Sequence, residues 1–163
     1  MRTLYLLRHA KSSWRDESLG DFDRPLKKRG RNSAKLVGEV IAEEKPRGLL
    51  VISSPAVRTR ETIKIVLKSA GIKPEVRFES TIYEADLNSL LAVLGKIEAD
   101  KKTVMLVGHN PGMEMLVRFL TDELRAMPTA ALAKIKLNTD SWNTLPGGEG
   151  SLEWLNVPKD VYD

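Results

Sequence analysis

The stretch Leu4-Tyr5-Leu6-Leu7-Arg8-His9-Ala10-Lys11 places four consecutive large apolar residues directly before a cation and an imidazole. Such an uninterrupted apolar run predicts a strand buried on both faces, as in a sheet that is covered by helices on each side. Arg8 and His9 then fall at the carboxyl end of this strand. Ligands bind at that edge of open α/β sheets, so the two residues are candidates for a functional site.

A second copy of this pattern occurs late in the chain. Thr103–Val107 is again an apolar run, and it leads into Gly108-His109-Asn110-Pro111-Gly112. His9 and His109 are the only histidines of the sequence, and both follow predicted buried strands. One such histidine alone is explained as a hydrogen-bonded residue at the edge of a loop. Two of them, one with an arginine beside it, favour a shared site.

The composition is that of an ordinary globular protein, with 42% hydrophobic and 29% charged residues. A chain of 163 residues can build one substantial core, so a single domain spanning residues 1–163 is expected. The sequence contains no cysteine. This excludes disulfides, thiolate metal sites and any enzyme that depends on a cysteine nucleophile.

The charge balance favours anionic partners without indicating a polyanion, because the net charge is only +4. The basic cluster Lys27–Arg31 is most simply a solvated helix start, and no nucleic-acid partner is expected. Too few apolar residues precede Arg8 for a signal peptide or a membrane span. We therefore expect a cytoplasmic protein with no membrane partner.

Local patterns predict the remaining elements. Helical spacing of apolar residues predicts a helix from Lys28 to Glu44, to which Lys27 can supply no cap. Ser54-Pro55 and Asn110-Pro111 each predict a helix start, with the first residue as the cap and the proline as the first helical residue. Further strands are predicted at Leu49–Ile52, Val76–Phe78, Ala131–Leu137 and Gly150–Val157. The helix after Pro55 is expected to end near Ser69, and a later helix carries Leu87, Leu90, Leu91 and Leu94.

The segment Ser12–Pro25 is rich in charge and has no sustained period, so we expect a loop over the edge of the sheet. It contains Asp21-Phe22-Asp23, which is similar to the paired aspartates of aspartate-nucleophile phosphatases. Those enzymes place the pair directly after an apolar strand, whereas Glu17-Ser18-Leu19-Gly20 precedes it here. Neither aspartate is therefore expected to be a nucleophile.

Arg58 and Arg60 fall in the first turns of the helix predicted after Pro55. The helix dipole disfavours cations there by a few tenths to about 1 kcal/mol, and a bound anion would relieve this conflict. A helix N-terminus at the carboxyl edge of a sheet also offers free amides to a phosphate. The alternative is that both arginines are exposed charges, paired with Glu61 or with nothing.

Taken together, these motifs resemble the histidine phosphatase superfamily, and within it the small SixA-type phosphohistidine phosphatases. The opening Arg8-His9-Ala10-Lys11 matches the Arg-His-Ala-Lys of that branch. Ser53–Thr62 matches the second motif of the superfamily, and Gly108–Gly112 matches the motif of its second histidine. The resemblance implies an α/β fold like that of phosphoglycerate mutase, a three-layer α/β/α sandwich with a mainly parallel central sheet.

The resemblance also implies roles for single residues. His9 matches the nucleophile, and Glu84 matches the proton donor of many members, although a glutamate shortly before a helix also suits the helix dipole. The residues that match phosphate-contacting positions are Arg8, Arg24, Arg58 and His109. The predicted catalytic set is therefore His9, Arg8, Arg58, His109 and Glu84.

A neutral imidazole among cations can attack phosphorus directly, which forms a phosphohistidine that water then hydrolyses. Neighbouring positive charges disfavour a further proton on the ring, so His9 should be neutral near pH 7. We therefore expect a metal-independent phosphatase without a cofactor. Its partner would be a phosphohistidine-bearing phosphotransfer protein of signal transduction, or a small phosphorylated substrate. A small-molecule phosphomonoesterase and a module that binds phosphate or phosphoprotein without turnover remain alternatives.

Overall fold

A six-stranded sheet lies at the centre of the structure, a computed structural model that describes residues 1–159. Its strands are β1 (Arg2–Arg8), β2 (Leu49–Ser53), β3 (Glu75–Phe78), β4 (Thr103–Gly108), β5 (Leu132–Leu137) and β6 (Ser151–Asn156). The order is β3-β2-β4-β1-β5-β6. The first four of these are parallel, and β5 is antiparallel to both β1 and β6. The expected mainly parallel sheet is confirmed, whereas the expected domain end at Asp163 lies outside the described residues.

Helices cover both faces of this sheet. Within residues 1–159 the α-helices are α1 (Lys28–Glu44), α2 (Val57–Ala70), α3 (Leu87–Gly95) and α4 (Gly112–Thr121). Leu4 and Leu6 of β1 pack with α3 and α4, whereas Tyr5 and Leu7 pack with α1 and α2. Successive side chains of a strand point to opposite faces, which is why an apolar run can fill both cores. This confirms the three-layer α/β/α fold. None of the helices in the described range is long and apolar enough to cross a membrane.

The α1 bounds agree with the predicted helix, and Lys27 supplies no side-chain cap. The predicted start of α2 is wrong, because this helix begins at Val57, two residues after Pro55. The Ser54 hydroxyl accepts a hydrogen bond from the Ala56 amide at 3.3 Å, ahead of the helix rather than inside its first turn.

The predicted cap of α4 is also wrong. This helix begins at Gly112, and Asn110 makes no cap. The Asn110 side-chain amide instead donates to the Glu114 carboxylate at 3.1 Å and to the Met127 carbonyl at 2.9 Å. A cap must accept a hydrogen bond through its side-chain oxygen, and the Asn110 oxygen is buried without a partner.

The Ser12–Pro25 loop is fastened at both ends over the carboxyl edge of the sheet. Ser12 pairs with Leu26 in an antiparallel bridge, and the Lys27 amide donates to the Lys11 carbonyl at 3.0 Å. A short 3-10 helix at Asp21–Asp23 interrupts the loop. The segment thus has a defined path across the ends of the central strands.

Candidate active site

The pairing of β1 with β4 brings the two histidines together. The parallel register opposes Arg8 with Gly108, so His9 and His109 leave the sheet side by side. The His9 amide donates to the Gly108 carbonyl at 3.1 Å, and the two imidazole centroids are 5.3 Å apart. Both residues are buried. The two histidines of the sequence therefore lie in one site at the carboxyl edge of the sheet.

His9 is held in one tautomer by its own backbone neighbour. Its Nδ1 atom lies 2.7 Å from the Ala10 carbonyl oxygen, which can only accept, so Nδ1 carries the proton and Nε2 keeps a lone pair. Burial lowers the pKa of His9 to about 3, and the nearby His109, Arg58 and Arg8 contribute in the same direction. The ring is therefore neutral at pH 7, with a nucleophilic nitrogen.

Two arginines flank this imidazole with incompletely used donors. Arg8 is the last residue of β1 and donates through Nη1 to the Met127 carbonyl at 3.1 Å. Arg58 lies in the first turn of α2, and its side chain is only 7% exposed. The Nε atoms of both arginines are buried without a hydrogen-bond partner. Both arginines line the cavity beside His9, and a guanidinium group matches the oxygens of a phosphate, so a bound oxyanion could accept hydrogen bonds from them.

Asp21 belongs to the site although the sequence analysis did not select it. Its Oδ1 accepts from Arg24 Nη2 at 3.0 Å, and its Oδ2 accepts from Arg58 Nη2 at 3.0 Å and from the Tyr83 hydroxyl at 2.6 Å. Its carbonyl oxygen accepts from Arg58 Nη1 at 2.7 Å. The Tyr83 hydrogen bond, with the two arginines, holds the pKa of Asp21 well below its usual range. Asp21 thus fixes Arg24 and Arg58 as a stable carboxylate, which is a different role from that of a nucleophile.

The sequence did contain a signal for this role. Asp21 precedes Arg24 by three residues, and that spacing allows the ion pair seen in the structure. The contact of Asp21 with Arg58 on α2 depends on the path of the loop, which local sequence does not determine.

His109 has both ring nitrogens engaged within the protein. Arg58 Nη2 lies 3.3 Å from Nδ1, and the Ser54 hydroxyl lies 2.8 Å from Nε2. Arginine can only donate, so Nδ1 accepts and Nε2 carries the proton. Burial first, and then the charge of Arg58, lowers the pKa of His109 to about 4. The predicted donation from His109 to a phosphate would require Nε2 to exchange Ser54 for the phosphate oxygen.

Arg24 lies at the site, whereas Glu84 is set apart. Arg24 is buried, donates to the Ser12 hydroxyl at 2.6 Å, and lies 3.6 Å over the Trp14 ring. Glu84 is exposed, has a left-handed φ of 56°, and does not line the cavity around His9. Its role as the proton donor stays a prediction.

These groups surround a cavity of about 1,100 Å³, whose lining includes His9, His109, Arg8, Arg24 and Arg58. Within residues 1–159, no group of three or more His, Cys, Asp or Glu side chains could hold a metal ion. A neutral imidazole with a free lone pair among guanidinium groups suits nucleophilic phosphoryl chemistry. The fold and the site together are therefore typical of α/β proteins in which a histidine acts on a phosphate group.

The chain belongs to the histidine phosphatase superfamily, and the family model for branch 1 matches residues 4–91. An uncharacterized chloroplastic protein of Arabidopsis thaliana is 33% identical over 171 residues, covering 96% of this chain and 78% of the relative. This similarity extends across nearly the whole chain, well beyond the residues that the family model matches.

Two solved structures share the whole fold. A Nakamurella multipartitia protein provisionally assigned as the phosphohistidine phosphatase SixA has a TM-score of 0.84 and 28% identity, with 96% of each chain covered. An Agrobacterium tumefaciens protein with the same provisional assignment has a TM-score of 0.82 and 27% identity, covering 96% of this chain and 98% of the other. These similarities bear out the expected fold and support a phosphatase.

We predict that the two histidines make stability depend on pH between about 5 and 6.5. Their folded-state pKa values lie below the ordinary 6.5, so the unfolded chain binds protons in this range and the folded chain does not. The free energy of unfolding should therefore fall as the pH falls, with each histidine approaching about 1.4 kcal/mol per pH unit. Urea titrations of wild type and of His9→Gln/His109→Gln would measure this slope. Equal slopes in the two proteins would contradict the assignment.

We also predict that Asp21→Asn impairs hydrolysis of a phosphoramidate. The variant amide would present an N–H group to one of the donors that Asp21 now binds, so Arg24 or Arg58 would move. Misplacing such a group should lower kcat/KM by about ten-fold or more. Asp23→Asn is the matched control, since Asp23 lies exposed in the same 3-10 helix. Equal activity of the two variants would show that Asp21 positions neither arginine.

Proposed function

We propose that this chain is a metal-independent phosphatase that uses His9 as its nucleophile and hydrolyses phosphohistidine carried on a phosphotransfer protein. The observation that carries this proposal is the tautomer of His9, whose Nδ1–H bonds to Ala10 and leaves a lone pair on Nε2. The flanking Arg8 and Arg58 and the similarity to two proteins provisionally assigned as SixA support it further.

In the first half of the proposed reaction, the Nε2 lone pair of His9 attacks phosphorus and forms a new P–N bond. The bond between phosphorus and the substrate imidazole breaks, and its electron pair leaves with that imidazole, which takes a proton from water. Arg8 and Arg58 stabilise the charge on the equatorial oxygens of the transferred group.

In the second half, water attacks the phosphorus of phosphorylated His9. The electron pair of the P–Nε2 bond returns to the ring, and inorganic phosphate is released. The hydrogen bond from Nδ1 to Ala10 holds the ring in the same tautomer through both halves. His9 therefore begins the next cycle ready to react.

The surroundings of the cavity favour a phosphoramidate over a phosphate ester. An alkoxide leaving group needs a proton donor more than an imidazole does. No aspartate or glutamate of residues 1–159 lines the cavity. Asp21, which binds the cavity arginines, has a lowered pKa and is ionised at neutral pH. These features favour phosphohistidine over the substrates of the alternative small-molecule phosphomonoesterase.

The test is hydrolysis of chemically phosphorylated histidine and of an alkyl phosphate ester, both in the presence of a chelator. We expect wild type to prefer phosphohistidine by about 100-fold, the scale of a missing general acid. Glu84→Gln should change phosphohistidine turnover little, and His9→Ala should abolish it.

Each contrary result would point elsewhere. A preference for the ester would favour a phosphomonoesterase, and loss of activity in the chelator would contradict metal independence. Undiminished turnover in His9→Ala would overturn the mechanism. Phosphate binding without any turnover in wild type would indicate a binding module.

A further inference from the structure

The cavity extends beyond the phosphate site over a second group of cations. Its lining contains Arg8, Arg24 and Arg58, and in addition Lys11, Arg15, Lys27, Lys28 and Arg31. We call Lys11, Arg15, Lys27, Lys28 and Arg31 the outer cations. Ligand pockets measure about 300–1,000 Å³, so a cavity of this size has room for much more than one phosphate group. The outer cations therefore face space that the transferred group leaves unfilled.

The outer cations lack the neutralisation found in the phosphate site. Arg24 and Arg58 both pair with the Asp21 carboxylate. None of the outer cations forms an ion pair with a carboxylate in the described part of the chain. A cleft lined by one sign of charge attracts groups of the opposite charge. The positive charge that remains available to a ligand is thus greatest on this side.

The backbone beneath the outer cations is fixed by close contacts. A Cβ atom on Gly30 would collide with the Lys11 carbonyl oxygen, so only glycine allows α1 to approach the loop this closely. The Lys27 amide donates to the same carbonyl at 3.0 Å, and the Leu26 amide donates to the Glu61 carboxylate on α2 at 2.7 Å. Lys11 and Lys27 therefore project from a supported surface rather than from a free loop.

The first turn of α1 adds a conflict that an anion would relieve. It contains no acidic residue, and its N-terminus has no side-chain cap. Lys27, Lys28 and Arg31 thus stand at the positive end of the helix dipole, where cations are disfavoured. The helix dipole and the unpaired charges of the cavity therefore both favour an anion at this place.

We propose that the outer cations form a subsite for an anionic group of the substrate other than the phosphoryl group transferred to His9. The proposal rests on the function proposed above and narrows its substrate to a compound with a second phosphate or carboxylate. On a phosphohistidine protein, this group would be the carboxylate of an acidic residue near the phosphohistidine. On a small molecule, it would be a second phosphate.

A binding experiment tests the subsite without requiring turnover. Calorimetry would compare ethylphosphonate with diphosphonates whose phosphonate groups are separated by two to six methylene groups. In wild type, at least one diphosphonate should bind about ten-fold more tightly than ethylphosphonate. This gain should be lost in Lys27→Gln/Lys28→Gln. The control Lys35→Gln/Lys73→Gln removes the same charge at exposed lysines outside the cavity and should keep the gain. No gain in wild type, or equal loss in both double variants, would overturn the subsite.

A turnover experiment identifies the source of the anion. It would compare phosphohistidine peptides flanked by aspartate with the same peptides flanked by asparagine. A lower KM for the acidic peptide in wild type, lost in Lys27→Gln/Lys28→Gln, would place the second anion on a protein. Tighter binding of a diphosphonate with no difference in KM between the two peptides would place the second anion on a small molecule.

The two proposals fail in distinguishable ways. If a diphosphonate binds more tightly than ethylphosphonate but neither peptide is hydrolysed, the proposed function is overturned and the subsite stands. If both peptides are hydrolysed with equal KM and no diphosphonate binds more tightly than ethylphosphonate, the subsite is overturned and the proposed function stands.

Discussion

The parallel pairing of β1 with β4 is the constraint on which the site depends. His9 and His109 are far apart in the chain, and only the register that opposes Arg8 with Gly108 brings their rings to 5.3 Å. A slip of one residue would turn the β1 side chains to the opposite face of the sheet. Leu4 and Leu6 fill one core and Tyr5 and Leu7 the other, so a slip would exchange side chains between two cores that are each closely packed around them.

The electrostatics of the site follow from this packing. Burial and the nearby arginines keep both imidazoles neutral, so the cations that suit an oxyanion also keep the lone pair of His9 available. Burying several guanidinium groups without an anion would be unfavourable, and Asp21 offsets part of that cost by binding Arg24 and Arg58. The unneutralised charge lies on the outer cations, where we infer that a second anionic group binds.

Local sequence predicted the parts of the structure that depend on local physics. The apolar runs of β1 and β4 and the periodicity of α1 were sufficient to place those elements and the two histidines at their ends. The predicted starts of α2 and α4 were wrong because the predicted cap residues bind elsewhere. Ser54 forms a hydrogen bond with His109, and Asn110 donates one to the Met127 carbonyl, and these partners compete with capping. Asp21 was missed because its contact with Arg58 exists only once the Ser12–Pro25 loop has crossed the edge of the sheet.

The most direct test of the central claim is detection of a phosphorylated enzyme. Wild type and His9→Ala would be mixed with a phosphoramidate, quenched rapidly in base, and analysed by intact mass. We expect a phosphate-sized mass gain in wild type that acid treatment removes, as for a phosphohistidine, and no gain in His9→Ala. A gain that persists in His9→Ala, or one that resists acid, would contradict the assignment of His9 as the nucleophile.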